Sequence, residues 1–270
     1  MTDEYKTITY EKKGHVAEIF LNRPDKRNAM GPDFWPDVTQ AFMQADEDKD
    51  IWVVVLAANG EHFTAGLDLK SSAELMKSSP DSGEMASVFH RIEGLQESMH
   101  VIEECRKPVI AAVHGACIGG GLDMIAACDI RLCSKDARYS LREARLGIIA
   151  DLGSLNRLPR IIGEGFTKEL AYTAKDIDAE RALAMGLVSE VFPNRDATID
   201  AARKMAEEIA SNPPLAVQGA KEVINYNRDK SVRDGLLYAA ARSSLILKSR
   251  DLIEAVTAFL QKRKPEFKGD

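Results

Sequence analysis

The chain has 270 residues, of which 45% are hydrophobic and 6% aromatic, with 36 lysines and arginines against 42 aspartates and glutamates. This length allows one large domain with a sizeable core, or one domain with an extension. The net charge of −6 at pH 7 argues against a nucleic-acid binder that relies on a broad basic surface, although a local basic patch can still hold an anion. We therefore expect no nucleic-acid partner.

Short sequence signals favour a cytoplasmic protein. No C-x-x-C motif occurs, so the four cysteines are expected to be reduced thiols. The first residues are polar and acidic, unlike a secretory signal or a transit peptide, and the last three are not Ser-Lys-Leu. No apolar run reaches the roughly 18 residues of a membrane span. We therefore expect no membrane partner. We also expect no metal site, because the histidines lack the spacing of metal ligands.

The start of the chain alternates predicted strands with a helix. Residues 7–11 and 15–21 predict the two strands of a hairpin. A helix is expected after Gly31, because apolar residues then recur at every fourth position. Residues 51–58 are all apolar and fit a strand that is buried on both faces.

The middle of the chain continues this alternation. A polar stretch at residues 71–83 predicts a mobile loop. The next helix is expected to cover a core with an apolar stripe formed by Val88, Ile92, Leu95, Met99 and Ile102. Residues 108–113 predict another buried strand, followed by a glycine cluster, a short apolar helix near residues 122–127 and a strand at residues 129–133.

After about residue 150 the pattern is helical, apart from one strand expected at residues 186–192. The expected helices span residues 167–173, 179–185, 198–211, 215–227, 232–247 and 252–262. Strands separated by helices, and then helices alone, predict an α/β core with a helical C-terminal extension. We place the core at residues 1–205 and the helical region at residues 206–270.

The glycine triplet at residues 119–121 is the most informative segment. A strand that runs into three glycines and then a helix exposes several backbone N–H groups at a helix N-terminus, which suits an anion or a developing oxyanion. The segment is neither G-x-G-x-x-G nor a P-loop, and tight packing of helix on strand explains the glycines equally well. A small-residue turn at residues 61–68 follows a predicted parallel strand, where ligands often bind, although it can also be an ordinary turn.

Three carboxylates lie in apolar surroundings near the glycine triplet: Asp123, Glu143 and Asp151. Such surroundings raise the pKa of a carboxyl group, as acid–base catalysis near neutral pH requires. Each carboxylate also has a structural explanation: a favourable helix dipole for Asp123, a surface ion pair with neighbouring arginines for Glu143, and a helix N-cap for Asp151. Taken singly, the structural explanations are favoured.

Taken together, motifs along the whole chain resemble the crotonase, or enoyl-CoA hydratase/isomerase, superfamily. Their order and spacing agree from end to end. The matching segments are LNRPDKRNAM at residues 21–30, FTAGLDL at 63–69, KPVIAAVHG at 107–115, IGGGLD at 118–123, ACDIR at 127–131 and AFLQKRK at 258–264.

The resemblance implies a fold, an assembly and a substrate. The fold is an α/β crotonase (ClpP-like) spiral of ββα turns with a helical C-terminal trimerisation region, assembled as a homotrimer or as a hexamer of two trimers. The substrate is an acyl-CoA thioester, and no cofactor is expected beyond its CoA moiety.

The resemblance also implies site residues. The oxyanion hole of the family falls on the backbone N–H groups of Leu67 and Gly120. Further substrate contacts are expected at Ala65, Gly66, Asp68, Gly121, Lys26 and Arg27. Arg23 lies where the family contacts the nucleotide, and Lys262 and Lys264 can reach phosphates from the C-terminal helix, although solvated lysines at a helix end explain that pair equally well.

The three acids decide the subtype. Hydratases of the family carry glutamates at the positions of Asp123 and Glu143, and a small residue at that of Asp151. The trio resembles the dienoyl-CoA isomerases, which convert 3,5-dienoyl-CoA to 2,4-dienoyl-CoA and act in fatty-acid β-oxidation. We expect Glu143 to remove a proton from carbon 2, Asp151 to donate one to carbon 6, and Asp123 to orient or tune them. Asp151 must then begin protonated while Glu143 is ionised.

Two alternatives remain open. One is an enoyl-CoA hydratase or an isomerase that shifts a single double bond. The other belongs to a different class, a non-catalytic acyl-CoA-binding or RNA-binding protein of the same fold.

Overall fold

The computed structural model describes residues 5–72 and 82–270, and these ranges contain nine strands and twelve α-helices. The strands are β1 (Ile8–Lys13), β2 (Val16–Leu21), β3 (Val53–Ala58), β4 (Val109–Val113), β5 (Ala116–Ile118), β6 (Ile130–Ser134), β7 (Arg138–Ser140), β8 (Ile177–Asp178) and β9 (Glu190–Phe192). The helices are α1 (Phe34–Glu47), α2 (Leu69–Ser72), α3 (Ser82–Glu104), α4 (Gly120–Ala127), α5 (Glu143–Leu146), α6 (Ser154–Ile161), α7 (Gly163–Thr173), α8 (Ala179–Met185), α9 (Arg195–Ala210), α10 (Pro214–Tyr226), α11 (Val232–Ile246) and α12 (Arg250–Gln261).

Six strands form the main sheet in the order β1-β2-β3-β4-β6-β9. The β1 and β2 strands are an antiparallel hairpin, and every later neighbour in this sheet pairs in parallel. Each residue of β3 and of β4 is buried. Parallel strands covered on both faces need apolar residues at every position, which explains their unbroken apolar sequence. The predicted hairpin and buried strands are confirmed.

A second sheet of three short strands, in the order β5-β7-β8, was missed by the sequence analysis. Its strands have three, three and two residues, too few to show a period-2 pattern. The sheet fixes the start of the glycine triplet, because the Gly119 N–H donates a hydrogen bond of 2.8 Å to the carbonyl of Ser140 at the end of β7.

The helix α3 corrects the predicted apolar stripe. Met99 and Ile102 are buried as expected, but Val88 is 44% exposed. The N-terminal part of α3 extends beyond the core, where Ile92 and Leu95 line a cavity instead of filling one. The predicted loop at residues 71–83 falls mostly on residues 73–81, which lie outside the described residues, and its two ends are helical in α2 and α3.

The C-terminal third is helical as predicted, and its helices begin and end within a few residues of the expected positions. Residue 205 falls inside α9, whose buried residues Ile199, Ala202 and Ala206 pack on the main sheet. Helices α10 to α12 follow. Lys221 of α10 ties them to the core, because its ammonium donates to Asp129 at 2.7 Å and to the Lys107 carbonyl at 3.0 Å.

Three smaller findings complete the fold. The four cysteines are free and buried, as expected for reduced thiols. Within residues 5–72 and 82–270, no helix is long and apolar enough to cross a membrane. The same residues contain no cluster of three or more His, Cys, Asp or Glu side chains suited to a metal ion.

Candidate active site

A cavity of about 790 Å³ lies where the glycine triplet, the turn at residues 61–68 and the loop after α5 meet. Its walls are largely apolar, with Met30, Trp35, Ile92, Leu95 and Ile149 among the lining residues. Both predicted oxyanion donors and all three predicted acids also line it: Leu67, Gly120, Asp123, Glu143 and Asp151. An apolar cavity with a few convergent polar groups is typical of a small-molecule site.

The two small-residue turns contact each other through their backbones. The Thr64 N–H donates to the Ala116 carbonyl at 2.8 Å, and the Ile118 N–H donates back to the Thr64 carbonyl at 3.1 Å. Gly66 has a φ of +82°, and a Cβ there would lie 2.6 Å from the Ile118 carbonyl oxygen. Only glycine permits this conformation and this close approach, so the sequence Ala-Gly-Leu positions the Leu67 N–H beside the triplet.

The backbone N–H groups of Leu67 and Gly120 are both available to a ligand. Neither donates a hydrogen bond to any residue that the structure describes. Gly120 is the first residue of α4, where a helix leaves its N–H groups without an internal acceptor. Two free donors on one cavity wall form the arrangement that stabilises an oxyanion.

Asp123 lies in the first turn of α4 and is buried. Its Oδ1 accepts two hydrogen bonds of 2.6 Å from Ser154, one from the backbone N–H and one from the hydroxyl. Burial raises the pKa of Asp123, while the bonds from Ser154 act in the opposite direction. The carboxyl group is therefore held in one orientation at the wall of the cavity.

Glu143 begins α5, and its carboxyl group lies against the glycine triplet. A Cβ on Gly119 would be 2.8 Å from Glu143 Oε1, so any larger residue there would displace the carboxylate. Its Oε2 is buried without a hydrogen-bond partner among the described residues. Desolvation raises the pKa of Glu143 to about 7, and the charges of Asp123 and Asp151 add to this effect. Such a group can take or give a proton at neutral pH.

The predicted surface ion pair of Glu143 is absent from the described residues. The neighbouring Arg142 instead binds Asp176, with the shorter of two contacts at 2.8 Å. This leaves the Glu143 carboxylate without a cation that would lower its pKa.

Asp151 lines the same cavity from the turn before α6. Its carbonyl accepts a hydrogen bond of 2.7 Å from Gln96 Nε2 of α3, which anchors the main chain of this turn. The residue is exposed in the free chain, and partial burial of its carboxyl group raises the pKa. The N-cap of α6 is Gly153, so a capping role does not account for Asp151.

The remaining predicted contacts divide into two groups. Those that line the cavity are Ala65, Gly66 and Arg27. Those that do not line it are Lys26, Asp68, Gly121, Arg23, Lys262 and Lys264. Gly121 instead permits close packing, because a Cβ there would lie 2.6 Å from Thr64 Cγ2.

The residues that hold the acids in place, notably Ser154, Gln96 and Arg157, were not predicted from the sequence. Their contacts join positions 31 to 57 residues apart, and no local motif marks such pairs. Gly153 was the one local feature that could have indicated these contacts, since a glycine often marks a turn where another group approaches the backbone.

Comparisons with known proteins agree with this geometry. A family model described as enoyl-CoA hydratase/isomerase matches residues 11–270. A mitochondrial Δ(3,5)-Δ(2,4)-dienoyl-CoA isomerase of Dictyostelium discoideum is 43% identical over 98% of this chain and 92% of that protein. A peroxisomal enzyme of the same name from Arabidopsis thaliana is 43% identical over 98% of each chain. The crystal structure of an enoyl-CoA hydratase from Bacillus anthracis has a TM-score of 0.90 at 34% identity, covering 98% of this chain and 100% of that one.

These comparisons confirm the predicted crotonase fold and the resemblance to dienoyl-CoA isomerases. The prediction of a cytoplasmic location is wrong, because the similar isomerases are named as mitochondrial or peroxisomal proteins. Organelle addresses are short signals that receptors read independently of the fold, so the short sequence signals behind the cytoplasmic prediction were a poor guide to location.

Proposed function

Because the chain belongs to the enoyl-CoA hydratase/isomerase family, we propose that it converts 3,5-dienoyl-CoA to 2,4-dienoyl-CoA. The observation that supports this most strongly is one cavity that holds two free backbone N–H donors and three carboxylates. Hydration of one double bond needs acids close to a single water. Moving two conjugated double bonds needs proton transfer at two separated carbons, and the carboxyl group of Asp151 is the acid that serves the second carbon.

The thioester carbonyl oxygen binds between the N–H groups of Leu67 and Gly120. Loss of a proton from carbon 2 places negative charge on this oxygen and along the conjugated chain. The two donors stabilise that dienolate, and one such donor typically contributes about 3 kcal/mol. The chemistry requires no cofactor beyond the CoA moiety of the substrate.

The two proton transfers are assigned by position. Glu143 lies against Gly119, next to the carbonyl site, and removes the proton as the carbon 2–hydrogen bond breaks. Asp151 lies in a different turn of the lining and donates its proton as the carbon 6–hydrogen bond forms. Carbons 2 and 6 are four bonds apart, so separate carboxyl groups serve them. Asp123, fixed by Ser154, orients the pair.

The protonation states follow from solvation. With a pKa of about 7, Glu143 is ionised in about half of the molecules at pH 7. Asp151 is exposed in the free chain, and an acyl chain in the cavity removes water from it. Desolvation disfavours the charged form, so substrate binding raises the pKa of Asp151 and favours its protonated, donating state.

Incubation with 3,5-dienoyl-CoA tests the proposal. We expect the absorbance of the 2,4-dienoyl thioester to appear with catalytic turnover, and hydration of 2-enoyl-CoA to be much slower. Hydration at comparable efficiency would instead support the hydratase. Absence of any thioester turnover, together with salt-dependent RNA binding, would support the non-catalytic class.

We further propose that residues 206–270 assemble the chain into trimers, alone or paired as hexamers, while residues 1–205 carry the acyl-CoA site. Large apolar side chains on α11 and α12 support this, since they are exposed in the single chain: Leu236, Leu237, Leu245, Phe259 and Leu260. Sedimentation equilibrium at micromolar concentration is expected to give the mass of three or six copies. A monomer under these conditions would contradict the assembly.

A further inference from the structure

A buried cation lies directly behind the turn that carries Asp151. Arg157 of α6 is only 8% exposed. Its guanidinium binds Glu103 of α3 through Nε at 2.8 Å and Nη2 at 2.7 Å. Its Nη1 donates to the Leu152 carbonyl at 3.3 Å, and Nη2 lies 3.3 Å from Nδ1 of His100. The guanidinium thus connects α3 to the residue after Asp151.

Gly153 makes this arrangement possible. Its φ is +124°, and a Cβ at this position would lie 1.8 Å from Arg157 Nη1. The guanidinium therefore packs against the bare backbone of the turn. No residue with a side chain can occupy position 153 without displacing Arg157.

The two ends of this turn hold two of the three acids. Asp151 begins the turn and lines the cavity. Ser154 ends it and donates both of its hydrogen bonds to Asp123. Attraction between the Arg157 guanidinium and Asp123 opposes the effect of burial, which raises the pKa of that carboxyl group. A displacement of the turn would move both acids together.

We propose that Arg157 is a positioning residue of the isomerase, which sets the turn at residues 151–154 so that Asp151 and Asp123 face the substrate. This inference rests on the proposed function. Arg157 itself contributes no atom to the lining of the cavity, and it acts through Leu152, Gly153 and Ser154.

Glu103 extends the connection to the C-terminal helices. Its Oε2 binds Arg157, while its Oε1 binds the guanidinium of Arg228, which follows α10. Asn225 near the end of α10 also donates to the Glu103 carbonyl at 3.4 Å. The helical region therefore braces the carboxylate that holds Arg157, and Arg228→Gln is expected to weaken isomerisation in the same way as Arg157→Gln, but less.

Arg157→Gln is the first test variant. Displacing a reacting group by about 1 Å can cost about 100-fold in rate, so we expect kcat to fall by about that factor while KM changes by no more than about threefold. Arg157→Lys retains the charge without the planar fork and is expected to recover part of kcat. Both variants are compared with wild type at temperatures well below their Tm.

Arg131→Gln is the matched control. Arg131 is another partly buried arginine that donates to backbone carbonyls, at 2.8 Å to Leu187 and 2.6 Å to Cys128, but it does not line the cavity. This variant is expected to lose stability and to keep its kcat. If the role of Arg157 were purely structural, Arg157→Gln would likewise lose stability and keep its kcat.

Hydrogen exchange provides a readout that does not depend on turnover. The Ser154 amide donates to Asp123, so its exchange is expected to accelerate in Arg157→Gln but not in Arg131→Gln. Unchanged Ser154 exchange, or an unchanged kcat in Arg157→Gln, would overturn the positioning role. Lack of isomerisation by wild type would instead refute the proposed function, and the exchange rates would still decide whether Arg157 holds the turn.

Discussion

Asp151→Asn is expected to lower the kcat of isomerisation by a factor on the order of 10² to 10⁴, the usual contribution of a general acid. Asparagine has nearly the same size but carries no acidic proton for carbon 6. Gln96 binds the carbonyl of residue 151 and not its side chain, so the turn keeps this anchor. The measurement is the initial rate of absorbance increase from saturating 3,5-dienoyl-CoA.

Asp176→Asn is the control for this variant. Asp176 also lines the cavity, but its carboxylate is paired with Arg142 at 2.8 Å. We expect its kcat to stay within a few-fold of wild type, since surface ion pairs contribute little. Full activity of Asp151→Asn would show that carbon 6 receives its proton from another group.

Glu143→Gln is expected to have the second large effect, because glutamine cannot accept the proton from carbon 2. In wild type the base must be ionised, so kcat/KM should rise with pH and reach half of its maximum near pH 7, the raised pKa of this group. The residual activity of Glu143→Gln should lack this rise. A pH profile with the same midpoint in the variant would assign the titration to a different residue.

The same group makes the folded chain less stable as the pH rises. The pKa of Glu143 is about 7 in the folded state against an ordinary value of 4.5, so between these values the unfolded chain releases a proton that the folded chain retains. Stability is therefore lost as the pH rises through this interval, and the loss is complete above pH 7. Glu143→Gln removes this loss.

Thermal unfolding measures this effect. The Tm of Glu143→Gln is expected to exceed that of wild type at pH 8, and the difference should shrink toward pH 4. Glu180→Gln, at an exposed position in the first turn of α8, is the control for the change from glutamate to glutamine itself. A parallel pH dependence of Tm in Glu143→Gln and wild type would contradict the raised pKa.

Long periodic segments were predictable because each follows from local chemistry. An unbroken apolar run such as β3 needs burial on both faces, and α1 repeats apolar residues at the helical period. The turns that contain Gly66 and Gly119 were predictable because small residues follow a predicted strand, and both glycines have a positive φ in the structure. The three acids became convincing only through the resemblance, because each has an ordinary structural explanation when taken alone.

Other features depended on distant contacts. The strands β5, β7 and β8 are too short to show a sequence pattern. They nevertheless fix the glycine triplet, because the carbonyl of Ser140 in β7 accepts a hydrogen bond from the Gly119 N–H. The stripe on α3 has the period of a core helix, but a period does not say whether the covered space is filled or empty. The support of Asp123 by Ser154, and of the turn by Arg157, required the folded arrangement.

A single-turnover experiment in D₂O tests the central claim that two different acids transfer the protons. Excess enzyme equilibrated in D₂O is mixed with unlabelled 3,5-dienoyl-CoA, so the acid that Asp151 forms when substrate binds carries deuterium. Nuclear magnetic resonance of the product is expected to show one deuterium at carbon 6, because the proton from carbon 2 remains on Glu143. Protium at carbon 6 would mean that one carboxyl group carries the proton from carbon 2 to carbon 6, and would contradict the assignment of separate roles to Glu143 and Asp151.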